Sequence, residues 1–333
     1  MNQLKELNAK KIGRILLNNA IIVLLLLMVI YVCITKDNFL TLKTFKNISV
    51  NTSVRFFVAL GVSGCLITKG TDLSAGRMVG FGATLAATLL QTPNATDKFF
   101  PQLSGSEPLI VMIVVTVFFC AIVGLLNGMI ISFLKVPPFL ATLGMQTIVY
   151  GVTLVYSKSL PVGFMRKDFL ELGYGEVFGI PYLLIFAVIA GLIMWFLYNK
   201  TAYGKYMYAI GGNEQAAEVS GINVSTMKLR IYALAGILYG IAGILLCSKS
   251  GGANVNLGLG WELEAIAACT IGGVSTNGGI GKVSGILVGV LVFELLKISL
   301  QFLRVDPSYQ FIAQGVVIVI AVALDIRKYT VKK

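Results

Sequence analysis

The side chains that could do chemistry in this sequence are few. Histidine is absent from the 333 residues, which removes histidine metal sites, Ser-His and Cys-His nucleophiles and histidine proton relays. The five cysteines, Cys33, Cys65, Cys120, Cys247 and Cys269, lie far apart in apolar stretches without a CxxC pair. They read as small buried hydrophobes, not as zinc ligands or a disulfide framework. Lys282 follows Gly278, Gly279 and Gly281, but no Ser or Thr comes directly after it, and no GxxxxGK[ST] phosphate loop occurs anywhere. The chain therefore offers no catalytic constellation, no metal site and no nucleotide site of its own.

What remains is a handful of polar groups stranded among apolar ones, the chemistry of a path through a membrane. Asp72 stands between Thr71 and Ser74, with Arg77 five residues on as a plausible partner. A structural cap or gate is the leading expectation for this group and direct contact with a solute the second. Glu294 and Lys297 are three apart in an apolar run, so they share a helix face and are expected to pair. Asn127 lies between Gly124 and Gly128 in FFCAIVGLLNGMIISFL. Small residues four apart let helices approach closely, so packing is expected there first and pore lining second.

Composition says what must hold these residues. Hydrophobic residues make up 56% of the chain and charged residues 13%, with mean hydropathy +0.85; a soluble domain runs at about 25% charged. The expected fold class is all-α, a polytopic membrane helix bundle forming one transmembrane domain over 1–333. Apolar runs of membrane-crossing length place ten spans near 15–34, 53–69, 77–91, 109–134, 139–157, 180–199, 229–247, 262–276, 283–303 and 309–325. Several are short and rich in glycine; Gly61, Gly64, Gly76, Gly80 and Gly82 are expected at close helix contacts. Span 262–276 opens on Glu262 and Glu264 and breaks at Gly272-Gly273, as a re-entrant segment would. The first span follows Lys10, Lys11 and Arg14 and ends without an A-x-A-like site, so it is expected to be a retained anchor.

The net charge of +12 follows this topology. With both termini cytoplasmic, all but one unit of it falls on the cytoplasmic side, spread over Lys5, Lys10, Lys11, Arg14, Arg327, Lys328, Lys332, Lys333 and the short inner loops. That is the positive-inside pattern, and it sets nucleic acid aside as a partner. Lys36, Lys43 and Lys46, opposed only by Asp37, break the pattern in the first outer loop.

Two loops carry local signals. The inner loop 200–230 contains Asn213 as an N-cap, Glu214 at a helix start, an alanine-rich stretch and Gly221 as a C-cap. These predict a short helix framed by Gly211-Gly212 and Gly221, too short to stand alone in water and therefore docked on something. The outer loop 158–179 interleaves Arg166, Lys167, Asp168, Glu171 and Glu176 with Phe164, Phe169 and Tyr174, a mixture suited to a soluble partner.

YAIGGNEQAAEVSGI (208–222), GTDLSAGR (70–77), PPFLATLG (137–144) and GGVSTNGGIGKVSG (272–285) resemble the corresponding stretches of bacterial ABC-transporter permeases for monosaccharides, the group that includes ribose and galactose importers. The resemblance covers essentially the whole chain. Thr71, Ala75 and the ending AVALDIRKY (321–329) look closest to the galactose/methyl-galactoside branch. The resemblance implies a permease homodimer in the bacterial inner membrane, translocating at its two-fold interface. It also implies an external sugar-binding protein and a separate cytoplasmic ATPase subunit that carries ATP and Mg. The coupling contact would be Gly211, Gly212, Asn213, Glu214, Ala216, Ala217, Glu218 and Gly221. Candidates for the gate or path are Thr71, Asp72, Ser74, Arg77 and Asn127. The competing readings are an ion-coupled secondary sugar transporter, which needs a carboxylate near mid-membrane, and an ABC permease for another sugar such as ribose. A channel lacks a filter motif and a membrane enzyme lacks a reactive constellation.

Overall fold

A computed structural model describes residues 20–330, without the side chains of 20–22, 24 and 324–330. The start of the first expected span and the basic tail residues Lys5, Lys10, Lys11, Arg14, Lys332 and Lys333 lie outside the described residues, as do the side chains of Arg327 and Lys328.

Every expected span falls on a helix. In chain order these are α1 (Ala20–Thr35), α2 (Leu42–Ile67), α3 (Ala75–Leu89), α4 (Leu109–Ser132), α5 (Pro138–Tyr156), α6 (Lys167–Tyr174), α7 (Tyr182–Lys200), α8 (Ala202–Gly212), α9 (Glu214–Val219), α10 (Val224–Ser250), α11 (Trp261–Ile271), α12 (Val283–Phe302) and α13 (Pro307–Thr330). Among the described residues, α2, α4, α5, α7, α10 and α12 are long and apolar enough to cross a membrane. Short polar or proline signals set the boundaries. Asn223 caps α10 by accepting from Thr226 N at 2.9 Å, and prolines stand just before or at the first turns of α4, α5 and α7, where a missing N–H costs nothing. Helix α2 begins eleven residues before the expected span. Thr41 caps it by accepting from Thr44 N, so the polar run Lys43–Thr52 continues the helix beyond its apolar part.

Helices α2 and α10 form the interior. Their spans are 83% and 78% buried, against 22–28% for α4, α5 and α7. Helix α10 packs on α4, α3 and α2. The closest approach is to α4, where Gly236 meets Gly124 backbone to backbone and Leu229 lies against Gly128. A side chain at Gly124 would collide with the main chain of α10, as the small-residue spacing around Asn127 predicts. Cys65, Cys120 and Cys269 are buried in the same apolar core and Cys247 in a smaller cluster beside it, while Cys33 is half-buried. On the other side, α4, α5 and α7 turn Phe118, Phe119, Ile148, Leu192 and Phe196 outward, the surface of a protein solvated by lipid or a second copy.

Helices α3 and α11 are different in kind. At 1.5 Å per residue, 11 residues of α11 rise roughly 16 Å, about half the ~30 Å hydrocarbon core. After α2 ends at Ile67, the chain turns back into the bundle without helical structure. Gly70 lies against Tyr232 and Asp72 against Tyr239, and only then does α3 begin. Gly76 and Gly80 pack on the main chain of Gly258 and Leu257, so the loop after α10 also reaches into the bundle before α11 starts. Helix α11 runs toward the α9 end, where Gly272 meets Gly285 of α12. The expected re-entrant break at Gly272-Gly273 is where α11 stops.

Candidate functional site

Two half-helices thus start close together, deep in the bundle, and both starts carry acid. Helix N-termini present unpaired N–H groups and a positive dipole end, which favour a carboxylate. At α3, Asp72 accepts from Ser74 N at 3.0 Å and Ser74 Oγ at 2.6 Å, and its other oxygen accepts from Tyr239 OH at 3.2 Å. Asn127 Nδ2 donates to Ser74 Oγ at 2.9 Å. Thr71 joins the same knot, its carbonyl taking bonds from Tyr232 OH and Thr142 Oγ1. Asp72 is buried and supplied with donors, so its geometry is that of a cap for the unwound segment.

The sequence places Asp72 and Arg77 near the cytoplasmic ends of their spans and pairs them. The structure differs on both points. Tyr239, the partner of Asp72, is midway along α10, because residues 70–74 climb back into the bundle. Arg77 leaves on the opposite side: Nη1 donates to Val255 O at 3.0 Å, and the guanidinium lies 4.0 Å from the centroid of the Tyr150 ring. Since one of the two residues is acidic and one basic, their relocation leaves the expected cytoplasmic surplus of basic residues unchanged.

Beside Arg77 lies Glu262, in the first turn of α11 and only 5% exposed. Gln146 Nε2 approaches its Oε1 at 3.5 Å, while Oε2, against Gly76, has no hydrogen-bond partner among the described residues. Arg77, Tyr150, Gln146 and Glu262 therefore assemble an aromatic face, a guanidinium, an amide and a carboxylate at the junction of the half-helices. This set offers hydrogen bonds of both signs next to a flat apolar ring, which suits a polyhydroxylated solute. Of the sequence candidates, Thr71, Asp72, Ser74 and Asn127 come together and Arg77 stands apart. Glu262, Gln146 and Tyr150 were not anticipated; the only sequence signal was the pair of acids opening a span.

A second charged cluster lies in the half of the bundle remote from α9. Arg55 forms an ion pair with Glu264, meets Glu294 Oε2 through Nε at 3.3 Å and stacks 4.5 Å over Trp261. Lys297 pairs with Glu264 at 2.6 Å, Asn51 donates to Glu294 at 2.7 Å, and Lys249 donates to Asn51. The expected Glu294–Lys297 pair is thus replaced. Each residue reaches across to another helix, because Arg55 on α2 and Glu264 on α11 provide stronger partners than a neighbour three residues away.

At the opposite end, the short helix expected in 200–230 is present as α9. Asn213 accepts from Ala216 N at 3.0 Å, Glu214 occupies the first turn, and Gly221 follows the helix at φ +85°, a conformation that favours glycine. Residues 202–212 form a further helix, α8, that the sequence reading leaves as a loop. Its Met207, Ile210 and Gly211 are buried. Lys228 binds both oxygens of Glu214 at 2.7 and 2.8 Å, tying α9 to the N-terminal part of α10. Lys69 donates to Gly212 O, Gly279 N to Ile67 O and Tyr208 OH to Gly281 O. Gln215, Ala216, Glu218 and Gly221 remain exposed, and Val219 is 91% exposed.

Comparison with known proteins matches this sequence to transport permeases. Residues 44–322 match the family described as branched-chain amino acid transport system / permease component. The chain is 42% identical to the galactose/methyl galactoside import permease protein of Escherichia coli (strain K12), over 99% of this chain and all of that one. It is 41% identical, over the same shares, to the protein of that name from Haemophilus influenzae. It is 37% identical to the ribose import permease protein of Bacillus subtilis (strain 168), over 91% of each chain. No solved structure matches the chain. The chain belongs to the transport-permease family described as branched-chain amino acid transport system / permease component.

Proposed function

We propose that this chain is the membrane-spanning subunit of an ATP-driven importer for a monosaccharide, galactose or a methyl galactoside before ribose. The observation that carries the reading is the end-to-end similarity to galactose/methyl galactoside import permeases. In this reading the chain is one transmembrane domain, works as a homodimer in the inner membrane and keeps both termini and α9 in the cytoplasm. A separate ATPase subunit, carrying ATP and Mg, grips α9 through Asn213–Gly221. An external binding protein delivers the sugar. The loop 158–179 suits that partner: its tip is a two-residue hairpin turn in which Phe178 (φ 50°) and Gly179 (φ 78°) take the primed-turn geometry, leaving Phe178 fully exposed.

The sugar passes the junction of α3 and α11, where Arg77 and Tyr150 offer a stacking face and Gln146 and Glu262 offer hydrogen bonds. Asp72, with Thr71, Ser74 and Asn127, holds the unwound segment that makes the junction. Replacing Arg77 by Gln is expected to slow sugar uptake by about tenfold, the loss of one charge-assisted contact of ~1.4 kcal/mol. Asp72→Asn is expected to reduce folded protein instead. Uptake normalised to folded permease, measured for both variants, separates the roles; a normal rate in Arg77→Gln removes Arg77 from the path.

The Glu262 oxygen that has no partner among the described residues is what an ion-coupled carrier would use, so the decisive experiment compares energy sources. Proteoliposomes holding the permease, its ATPase and its binding protein are expected to take up galactose only when ATP is supplied. Uptake by the permease alone under a proton or sodium gradient would replace the ABC reading with the ion-coupled one.

A further inference from the structure

Two of the three lysines that break the charge pattern, Lys43 and Lys46, have a structural setting that the transport reading does not use. Helix α2 contains 26 residues, roughly 39 Å at 1.5 Å per residue, about six residues longer than the hydrocarbon core requires. With Ile67 at the α9 end, the first two turns of α2 stand at headgroup height on the opposite face. There α2, α6 and the β-hairpin enclose a groove of about 430 Å³, lined by Leu42, Lys43, Lys46, Val50, Glu176 and Lys249 among others. Lys46 pairs with Glu176 at 2.6 Å and Lys249 donates to Asn51. Lys43 has no partner among the described residues. Lys43 and Lys46 thus have one carboxylate between them, while Lys249 is turned toward Asn51. The flank is apolar and open: Leu40, Leu42 and Phe45 are 78%, 73% and 68% exposed.

We propose that this groove binds an anionic phospholipid, its phosphate on Lys43 and Lys46 and its glycerol and upper acyl carbons along Leu42 and Val50. A soluble acidic protein would satisfy the lysines but leave Leu40, Leu42 and Phe45 in water, whereas a lipid at this height satisfies both. The position also accounts for most of the departure from the positive-inside pattern: Lys43 and Lys46 are counter-charges for lipid headgroups, and the topology signal is carried elsewhere.

The test is retention of lipid by intact permease extracted from nanodiscs of phosphatidylcholine mixed with phosphatidylglycerol, read by native mass spectrometry. Wild-type protein is expected to retain phosphatidylglycerol preferentially. Lys43→Gln should lower that preference about fivefold, the value of one lysine near an anionic surface, and Lys43→Arg should keep it. An unchanged preference in Lys43→Gln overturns the proposal. So does displacement of the lipid by excess inorganic phosphate, which would make this a free-anion site. A third overturning result is a Lys43→Gln variant that loses stimulation by the binding protein in pure phosphatidylcholine while keeping its lipid preference; the groove would then serve that partner.

Discussion

Replacing Arg55 by Met should destabilise the permease by ~3–5 kcal/mol, the cost of removing one member of a buried ionic group. Arg55 stands between Glu264 and Glu294, and all three side chains are less than one-fifth exposed. Without it, two carboxylates share Lys297 and a hydrogen bond from Asn51. Both carboxylates are largely buried, and in a bilayer the penalty for an unpaired charge is larger still. The loss of packing on Trp261 adds a smaller term.

Charge balance can be separated from packing by a second change. Arg55→Met combined with Glu294→Gln leaves Glu264 with Lys297 at 2.6 Å and keeps an amide beside Asn51. Most of the lost stability should return, although the guanidinium is still missing. Denaturation of the reconstituted protein, followed by tryptophan fluorescence, measures both variants. If the double variant is no more stable than Arg55→Met, the contribution of Arg55 lies in packing and not in neutralising the acids. The arrangement has a mechanical consequence too: Glu264 sits in the first turn of α11, so this network fixes a half-helix start against α2 and α12, and the junction next to it inherits that rigidity.

How far the sequence revealed this follows from the range of each signal. Hydropathy and local caps act over a few residues, so the ten apolar helical segments and the capped α9 were legible, but not that six of those helices are long and apolar enough to cross a membrane among the described residues. Asn213, Glu214 and Gly221 mark a helix without any knowledge of the fold. The glycine spacing around Asn127 likewise predicts a close contact, though not that its partner is Gly236. Partner choice was not legible. Glu294 and Lys297 share a helix face, yet each finds a better partner more than thirty residues away in sequence. The depth of Asp72 was also hidden, because a chain that turns back into the bundle reads in sequence like a short loop at the surface. Likewise, Gln146 and Tyr150 look like ordinary members of an amphipathic span until α3 and α11 are brought beside them.

The second large effect concerns α9. Glu214→Lys together with Glu218→Lys should cut ATP-driven uptake by roughly tenfold or more, as reversed charges at a docking surface do, while the fold persists. Glu214 is half-exposed, and such a pair is worth only ~0–1 kcal/mol to stability. The two acids do different things. Glu218 is exposed and free to meet a partner, whereas Glu214 is held by Lys228 at the start of α10. A push on α9 therefore reaches α10 through one ion pair, and reaches α2 and the α11–α12 turn through the bonds of Lys69 to Gly212 and Gly279 to Ile67. Helix α10 carries Tyr239, which holds Asp72, so the same rigid body ends at the half-helix junction. Such coupling needs a physical link that can be cut and restored. Glu214→Lys alone cuts it, and adding Lys228→Glu re-forms it with the charges exchanged. Uptake that recovers in the exchanged variant places the role of Glu214 in the link to α10. Uptake that stays low, with ATP hydrolysis intact, makes Glu214 itself part of the surface the ATPase grips. Unchanged uptake in the original Glu214→Lys/Glu218→Lys variant removes α9 from the mechanism.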